Sequence, residues 1–250
     1  MALRLADAAD QITMRHFRSV DLRVEDKPDH TPVSNADREV EEMIRDRLAE
    51  SRPGDAVVGE EYGASGDGRR RWIIDPIDAT RNYIRGIPVF ATLLALEEDE
   101  EVVVGVVSAP ALQARWRARR GEGAFGGNRR LQVSGINKLA DANLCHAGLD
   151  DWREARGSLD PLLELARRCG RSRGFGDFWQ HMLVAQGSAE MAVEPAVSLW
   201  DMAAVKVIVE EAGGTFSDLS GALTAGGGDA ISSNGLLHQA ALDLIGRPAP

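Results

Sequence analysis

Cysteine is scarce in this 250-residue chain: Cys145 and Cys169 are its only two, in no metal-binding or redox spacing. That excludes a disulfide framework and suits a reducing cytoplasm with both thiols free. Positive charge is also in short supply. The formal net charge is -10, whereas a nucleic-acid or anionic-membrane surface needs a positive field to gather phosphates, so neither is an expected partner. A small phosphorylated substrate stays admissible, because bound metal ions invert the sign of a site locally. Long hydrophobic runs are missing too: segments 90–96 and 102–107 are far too short to span a bilayer. Charges at Arg4, Asp7, Asp10 and Arg15 break the N-terminal apolar pattern, which therefore reads neither as a signal peptide nor as an anchor. There is no low-complexity tract and no internal repeat. What remains, with 44% hydrophobic and 27% charged residues, is an ordinary globular composition, expected in the cytoplasm.

Along 3–20, Leu3, Ala6, Ala9, Ile12 and Phe17 recur near a helical period and predict an amphipathic helix. A polar stretch, 25–34, precedes a second helix that opens near Asn35, aligns Val40, Met43, Ile44 and Leu48, and stops at Pro53-Gly54. Val57-Val58 and 72–74 read as short buried strands ending in acidic residues. Strands follow at 90–97, 101–108 and 113–119; in the last, Arg115, Arg117 and Arg119 alternate with apolar residues and read as a solvated strand face. The glycine-rich run 121–127 reads as a loop, without the strand-to-helix setting of a nucleotide cradle. From about Ser134, strands at 142–149, 190–194, 214–217 and 230–233 alternate with helices at 159–169, 178–186, 200–212 and 236–245. The chain thus divides into an N-terminal α+β half, 1–133, and a C-terminal α/β half, 134–250.

The chemistry concentrates where the apolar strand Trp72-Ile73-Ile74 runs into Asp75-Pro76-Ile77-Asp78. Packed carboxylates repel one another and are poor structural choices unless cations neutralise them, so a metal site is expected. Glu60-Glu61 ends another buried strand, and Asp201 stands at the start of a helix, where anions are favoured. Oxygen ligands suit a hard cation, and the few histidines show no zinc spacing, which favours Mg²⁺. Taken singly, Asp-Pro and Glu-Glu pairs are usually turns or helix starts. Asp37, in Ser34-Asn35-Ala36-Asp37, also reads as the far end of a capping box.

In order along the chain, Gly59-Glu60-Glu61, Asp75-Pro76-Ile77-Asp78 and Trp200-Asp201-Met202-Ala203-Ala204, the last followed by Glu211-Ala212-Gly213-Gly214, resemble the motifs of the inositol monophosphatase family. The resemblance extends over nearly the whole chain and includes Asp37. It implies a layered αβαβα sandwich, a Mg²⁺-dependent phosphomonoesterase activity and a homodimer. It further implies that Glu60, Asp75 and the Ile77 carbonyl hold one Mg²⁺, that Asp75, Asp78 and Asp201 hold a second, and that a weaker third ion sits near Glu60. Two such ions, about 3.5–4 Å apart, clamp a phosphate and sharpen a water for in-line attack. By the same resemblance Thr80 and Asp37 orient and help deprotonate that water, and the phosphate rests on backbone N–H groups around Ala79 and Thr80. Glu61 reads as a supporting or surface residue. Ala79 departs from the family's usual glycine, which keeps open a metal-binding regulator without turnover. Because position 79 enters a helix, a helical φ that tolerates alanine is expected.

Within the family, the run Arg173-Gly174-Phe175-Gly176-Asp177-Phe178-Trp179-Gln180-His181 resembles the histidinol-phosphate phosphatase branch, as do Lys27-Pro28-Asp29-His30-Thr31-Pro32-Val33 and the segment from Glu194 to Asp201. The implied substrate is L-histidinol phosphate, with inositol monophosphate or another polyol phosphate as the alternative. A nucleotide phosphate would call for a further basic cluster that is not evident. Histidinol phosphate carries an ammonium and an imidazole, so its pocket should offer acidic acceptors and an aromatic wall. Asp177, Glu194 and Trp179 are the candidates, with Asp201 at the phosphate end. Arg173 and His181 either hold the substrate or organise the loop, and Asp177 also reads as an N-cap.

Overall fold

The computed structural model describes residues 1–28 and 30–246; Asp29, within the run 27–33 read above, and residues 247–250, the end of the C-terminal half, lie outside the described residues. Helix α1 (Ala2–His16) turns Leu5, Ala6, Ala9 and Ile12 inward and ends earlier than its periodicity suggested, because Phe17 is extended. A small hairpin, β1 (Val24–Asp26) with β2 (Pro32–Ser34), leads into α2 (Asn35–Ser51), which buries Val40, Ile44 and Leu48 and stops before Pro53. Then come β3 (Ala56–Gly59), β4 (Gly63–Ser65), β5 (Arg70–Asp78), the one-turn α3 (Thr80–Ile84), β6 (Ala91–Glu98), β7 (Glu101–Ala109), β8 (Ala114–Arg119), β9 (Gly123–Gly126) and β10 (Arg129–Arg130). Their sheet has the order β10-β9-β8-β7-β6-β5-β3-β4, with β3 and β5 parallel.

The C-terminal elements are β11 (Asn143–His146), α4 (Leu149–Arg156), α5 (Asp160–Arg168), β12 (Arg171–Gly174), α6 (Asp177–Ala185), β13 (Met191–Glu194), α7 (Leu199–Glu211), β14 (Thr215–Ser217), β15 (Ala230–Ser233) and α8 (His238–Ile245). Their sheet has the order β12-β11-β13-β15-β14. Five layers result. Helices α1 and α2 cover one face of the large sheet, α6 and α7 fill the space between the sheets, and α4, α5 and α8 cover the far face of the small one. The middle position of α7 explains its weak amphipathicity: Met202, Ala203, Val205, Val207, Ile208 and Val209 are buried around most of its circumference. Residue 133 falls between β10 and β11, where the chain leaves one sheet for the other, yet α6 and α7 share a core with the large sheet.

Three local readings are corrected. The glycine run 121–127 contains strand β9, which pairs with β8 through Trp116 opposite Gly126; glycine weakens a strand but does not forbid the ladder. Arg115 is only partly solvated: it reaches up to α1 and bonds Asp7 (2.7 Å) and Asp10 (2.6 Å), while Arg119 is exposed as expected. Strand 142–149 is cut at His146, and Leu149 opens a helix the periodicity did not announce.

Candidate active site

Strand β5 is buried from Trp72 to Asp78 and delivers the first two carboxylates. In a regular strand residues three apart point to opposite faces. Here Asp75 pairs with Leu93 and Asp78 with Ala91, so β5 carries one extra residue between them. This bulge at Pro76-Ile77 turns both carboxyls to one side. Asp201, in the first turn of α7, joins them, and ligand oxygens of Asp75, Asp78 and Asp201 all lie within 4.8 Å of one another. Two of the three accept a backbone N–H, and the third keeps one oxygen without a donor. Asp201 Oδ2 accepts the Ser198 N–H (2.7 Å), Asp78 Oδ2 accepts the Phe178 N–H (2.7 Å), and Asp75 Oδ1 is buried without a hydrogen-bond partner among the described residues.

Such a trio is unfavourable by itself. Two negative charges 4.8 Å apart repel by about 3 kcal/mol at an effective dielectric of about 20. Burial first, then neighbouring carboxylates, push Asp75 and Asp78 well above the usual carboxylate range, and burial raises Asp201 to about 7. An all-oxygen donor set, one donor of which has no protein partner, fits a hard divalent cation. Glu60 stands outside the trio. Its Oε1 is 2.7 Å from Lys27 Nζ, which also lies 2.7 Å from Glu61. Glu61 is therefore no surface residue: its side chain is almost fully buried, and burial raises it to about 7.

Asp37 caps its helix and also faces Thr80. Oδ2 accepts the Ser34 N–H (2.8 Å) and completes a capping box for α2, while Oδ1 lies 3.4 Å from Thr80 Oγ1. The single Thr80 proton is better placed on the Ile77 carbonyl at 2.8 Å, which leaves Asp37 Oδ1 as an open acceptor. Burial raises Asp37 to about 6. Ala79 contradicts the expected helical φ: at φ 65°, ψ 45° it is left-handed. The reason is topological, since Asp78 still belongs to β5 and Thr80 already opens α3, so one residue must make the whole turn. Asn82 and Tyr83 return their N–H groups to the Ala79 carbonyl, so the amides of Thr80 and Arg81 precede the first closed turn.

A cleft of about 580 Å³ brings together Glu60, Ala79 and Thr80 with Asp177 and Glu194. Asp177 is not an N-cap: Gly176 caps α6, and Asp177 is its first residue, at φ 54°. Burial and Asp151 raise Asp177 to about 6; burial and Asp177 push Glu194 well above its usual range. Buried Gln180 donates to Glu194 Oε1 and orients it. Three candidates lie elsewhere. Trp179 and Arg173 line a separate cavity of about 180 Å³, and Arg173 donates to its neighbour's carbonyl at Ser172. Phe175, which packs on Trp179 at 4.8 Å, supplies the aromatic wall of the cleft instead. His181 points into the core, 2.7 Å from Ser232 Oγ, and burial lowers it to about 3. A larger cavity, about 810 Å³, lies on the outer face of the large sheet, lined by Trp72, Arg117 and Phe125 and away from these carboxylates.

Sequence reading missed Glu41, Arg81, His146 and Asp151. Only Glu41, four residues after Asp37 on α2, carried a signal, because that spacing puts both on one helix face. The sequence model of the inositol monophosphatase family matches residues 1–246.

This chain belongs to the inositol monophosphatase family. A histidinol-phosphatase of Streptomyces coelicolor is 52% identical over 250 residues, covering 96% of this chain and 94% of that protein. One from Mycobacterium tuberculosis is 48% identical over 251 residues, with 98% and 96% covered. Among solved structures, the Thermotoga maritima IMPase superposes with a TM-score of 0.88 at 33% identity, covering 98% of this chain and 94% of that one. As an inositol monophosphatase family member, the chain has the five-layer αβαβα architecture expected from its motifs.

Proposed function

We propose that this chain is a Mg²⁺-dependent phosphatase that hydrolyses L-histidinol phosphate to L-histidinol and phosphate. The observation that carries the reading is one cleft holding Ala79 and Thr80 beside the aspartate trio together with two acidic groups, Asp177 and Glu194, that have no ion-pair partner among the described residues. The identity of about half to two curated histidinol-phosphatases supports the same substrate. Glu60, Asp75, the Ile77 carbonyl, Asp78 and Asp201 would hold two ions, with a weaker third near Glu60. When bound, Mg²⁺ supplies Lewis acidity at the phosphoryl oxygen and a water acidic enough to attack near neutral pH.

The protein's own groups do the rest. Asp37 Oδ1 accepts a proton from the attacking water, with Thr80 Oγ1 beside it to hold the water's second side. The amides of Thr80 and Arg81 receive phosphate oxygens. Asp177 and Glu194 accept the substrate's ammonium, and Phe175 covers its imidazole. A metal-binding regulator without turnover is disfavoured because every carboxylate needed for turnover is present. A cytoplasmic location is part of this reading, supported by the free thiols of Cys145 and Cys169. Its open β12 edge, where Arg173 and Trp179 line the small cavity, suits a homodimer contact. The decisive test is phosphate release from L-histidinol phosphate and from inositol monophosphate, with and without Mg²⁺. Faster release from inositol monophosphate would reject the substrate, and Mg²⁺-independent release would reject the mechanism.

A further inference from the structure

Glu41 is fully buried on α2, a position where an unsatisfied carboxylate would be costly. Its partners are specific. Oε2 accepts the Glu61 N–H at 2.8 Å, and Oε1 accepts the Tyr62 N–H at 3.2 Å and Arg45 Nε at 2.8 Å. These two amides belong to the three-residue loop Glu60-Glu61-Tyr62 that joins β3 to β4, closed by Gly63 at φ 66°. Successive N–H groups in such a turn form a small anion-binding concavity, and here a side chain of the same protein fills it. Gly59 makes room for it: a Cβ there would sit 2.0 Å from Glu41 Oε1. Arg45, one turn further along α2, neutralises Glu41 and grips the other arm of the hairpin through Ser65 Oγ (2.9 Å) and the Gly63 carbonyl.

Helix α2 therefore presents Asp37, Glu41 and Arg45 at successive turns, the first toward Thr80 and the other two toward the loop that carries Glu60. Glu60 is pinned on both sides, its own N–H on the Ile74 carbonyl (3.2 Å) and the next amide on Glu41. We propose that Glu41 is a positioning residue for the cation site: it fixes the Glu60-Glu61 peptide so that the Glu60 carboxylate is presented to the ion, and it ties that placement to Asp37 through one rigid helix. The inference rests on the reading of Glu60 as a Mg²⁺ ligand. It extends that reading by assigning a role to a residue that touches neither metal nor substrate.

Glu41→Gln keeps the size but has a single acceptor oxygen for three donors, so the loop should lose its defined setting. We expect the Mg²⁺ dissociation constant, measured calorimetrically, to rise about tenfold or more. The Mg²⁺ concentration for half-maximal phosphate release should rise in parallel, with kcat at saturating Mg²⁺ within about threefold of the parent. Gly59→Ala should act in the same direction by pushing on the same carboxylate, and it carries the test if Glu41→Gln does not fold. In a Glu41→Ala background, Gly59→Ala should add little, since its collision partner is gone. Unchanged Mg²⁺ affinity in Glu41→Gln and Gly59→Ala, alongside a clear loss in Glu60→Gln, would overturn the inference and leave Glu41 a purely structural residue. Unchanged affinity in Glu60→Gln as well would instead overturn the ligand assignment beneath it.

Discussion

Replacing Ala79 with glycine should make this protein more stable, which reverses the expectation from sequence. Ala79 holds φ 65° and ψ 45° between the last residue of β5 and the first of α3, with no loop to absorb the turn. A residue with a Cβ pays about 1–2 kcal/mol in that region. Glycine loses about 0.4–1 kcal/mol of this gain through the greater freedom of its unfolded chain. The net is a stabilisation of about 0.5–1 kcal/mol. In a protein of this size that raises Tm by about 1–4 °C. Calorimetry and urea titration should be run in EDTA, so that metal binding to the folded state does not contribute, and the urea m-value should be unchanged. Turnover should stay within about threefold, with any gain appearing in KM as the methyl leaves the phosphate's surroundings. A lower Tm for Ala79→Gly would refute the strained turn. A rise in kcat beyond about tenfold would show that Ala79 impairs catalysis and is not merely strained.

Asp78→Asn removes a charged member of the trio without changing its size, and should nearly abolish phosphate release while the fold persists by circular dichroism; normal turnover and Mg²⁺ dependence would reject the metal site. Asp177→Asn should lower kcat/KM for L-histidinol phosphate by about ten- to a hundred-fold, the worth of a charge-assisted hydrogen bond, yet leave p-nitrophenyl phosphate nearly untouched; equal losses on both would mean a structural role. The metal-free protein should lose stability with rising pH. Burial holds Asp37 at about 6, Asp201 and Glu61 at about 7, and Asp75 and Asp78 well above their usual range. The folded chain therefore binds more protons than the unfolded one from about pH 4 up to about pH 7, and stability falls through that window. His181, lowered to about 3, and His238, also lowered by burial, oppose this by losing stability as pH falls below about 6.5, but the raised carboxyl groups outnumber them. In EDTA the Tm should drop between about pH 4 and pH 7 and Mg²⁺ should remove most of the drop; a flat profile in EDTA would contradict the buried trio.

Local pattern was enough for much of this protein. The apolar period of α1 and α2, the buried runs of β3 and β5, and the carboxylates at their ends are all set by residues within a few positions of one another, and such signals survive in a bare sequence. Even the β5 bulge had a local trace in Pro76, a residue that central strands accept mainly at bulges. The motifs at Glu60, Asp75, Asp78 and Asp201 could therefore be read in order along the chain, and with them the family. Tertiary structure alone decided what each side chain meets. Asp78 accepts the amide of Phe178, a hundred residues away, and Arg115 reaches Asp7 across a similar span, so neither contact leaves a mark on its neighbours in sequence. The same holds for the run from Arg173 to His181, where one turn of strand and helix sends Asp177 into the cleft, Trp179 and Arg173 to another cavity, and His181 into the core. Periodicity reports which face of an element is apolar, but the packing of α6 between two sheets fixes which partner each face receives. The backbone at Ala79 belongs to that second class: its sign follows from where β5 must stop and α3 must start, a constraint imposed by the assembled sheet.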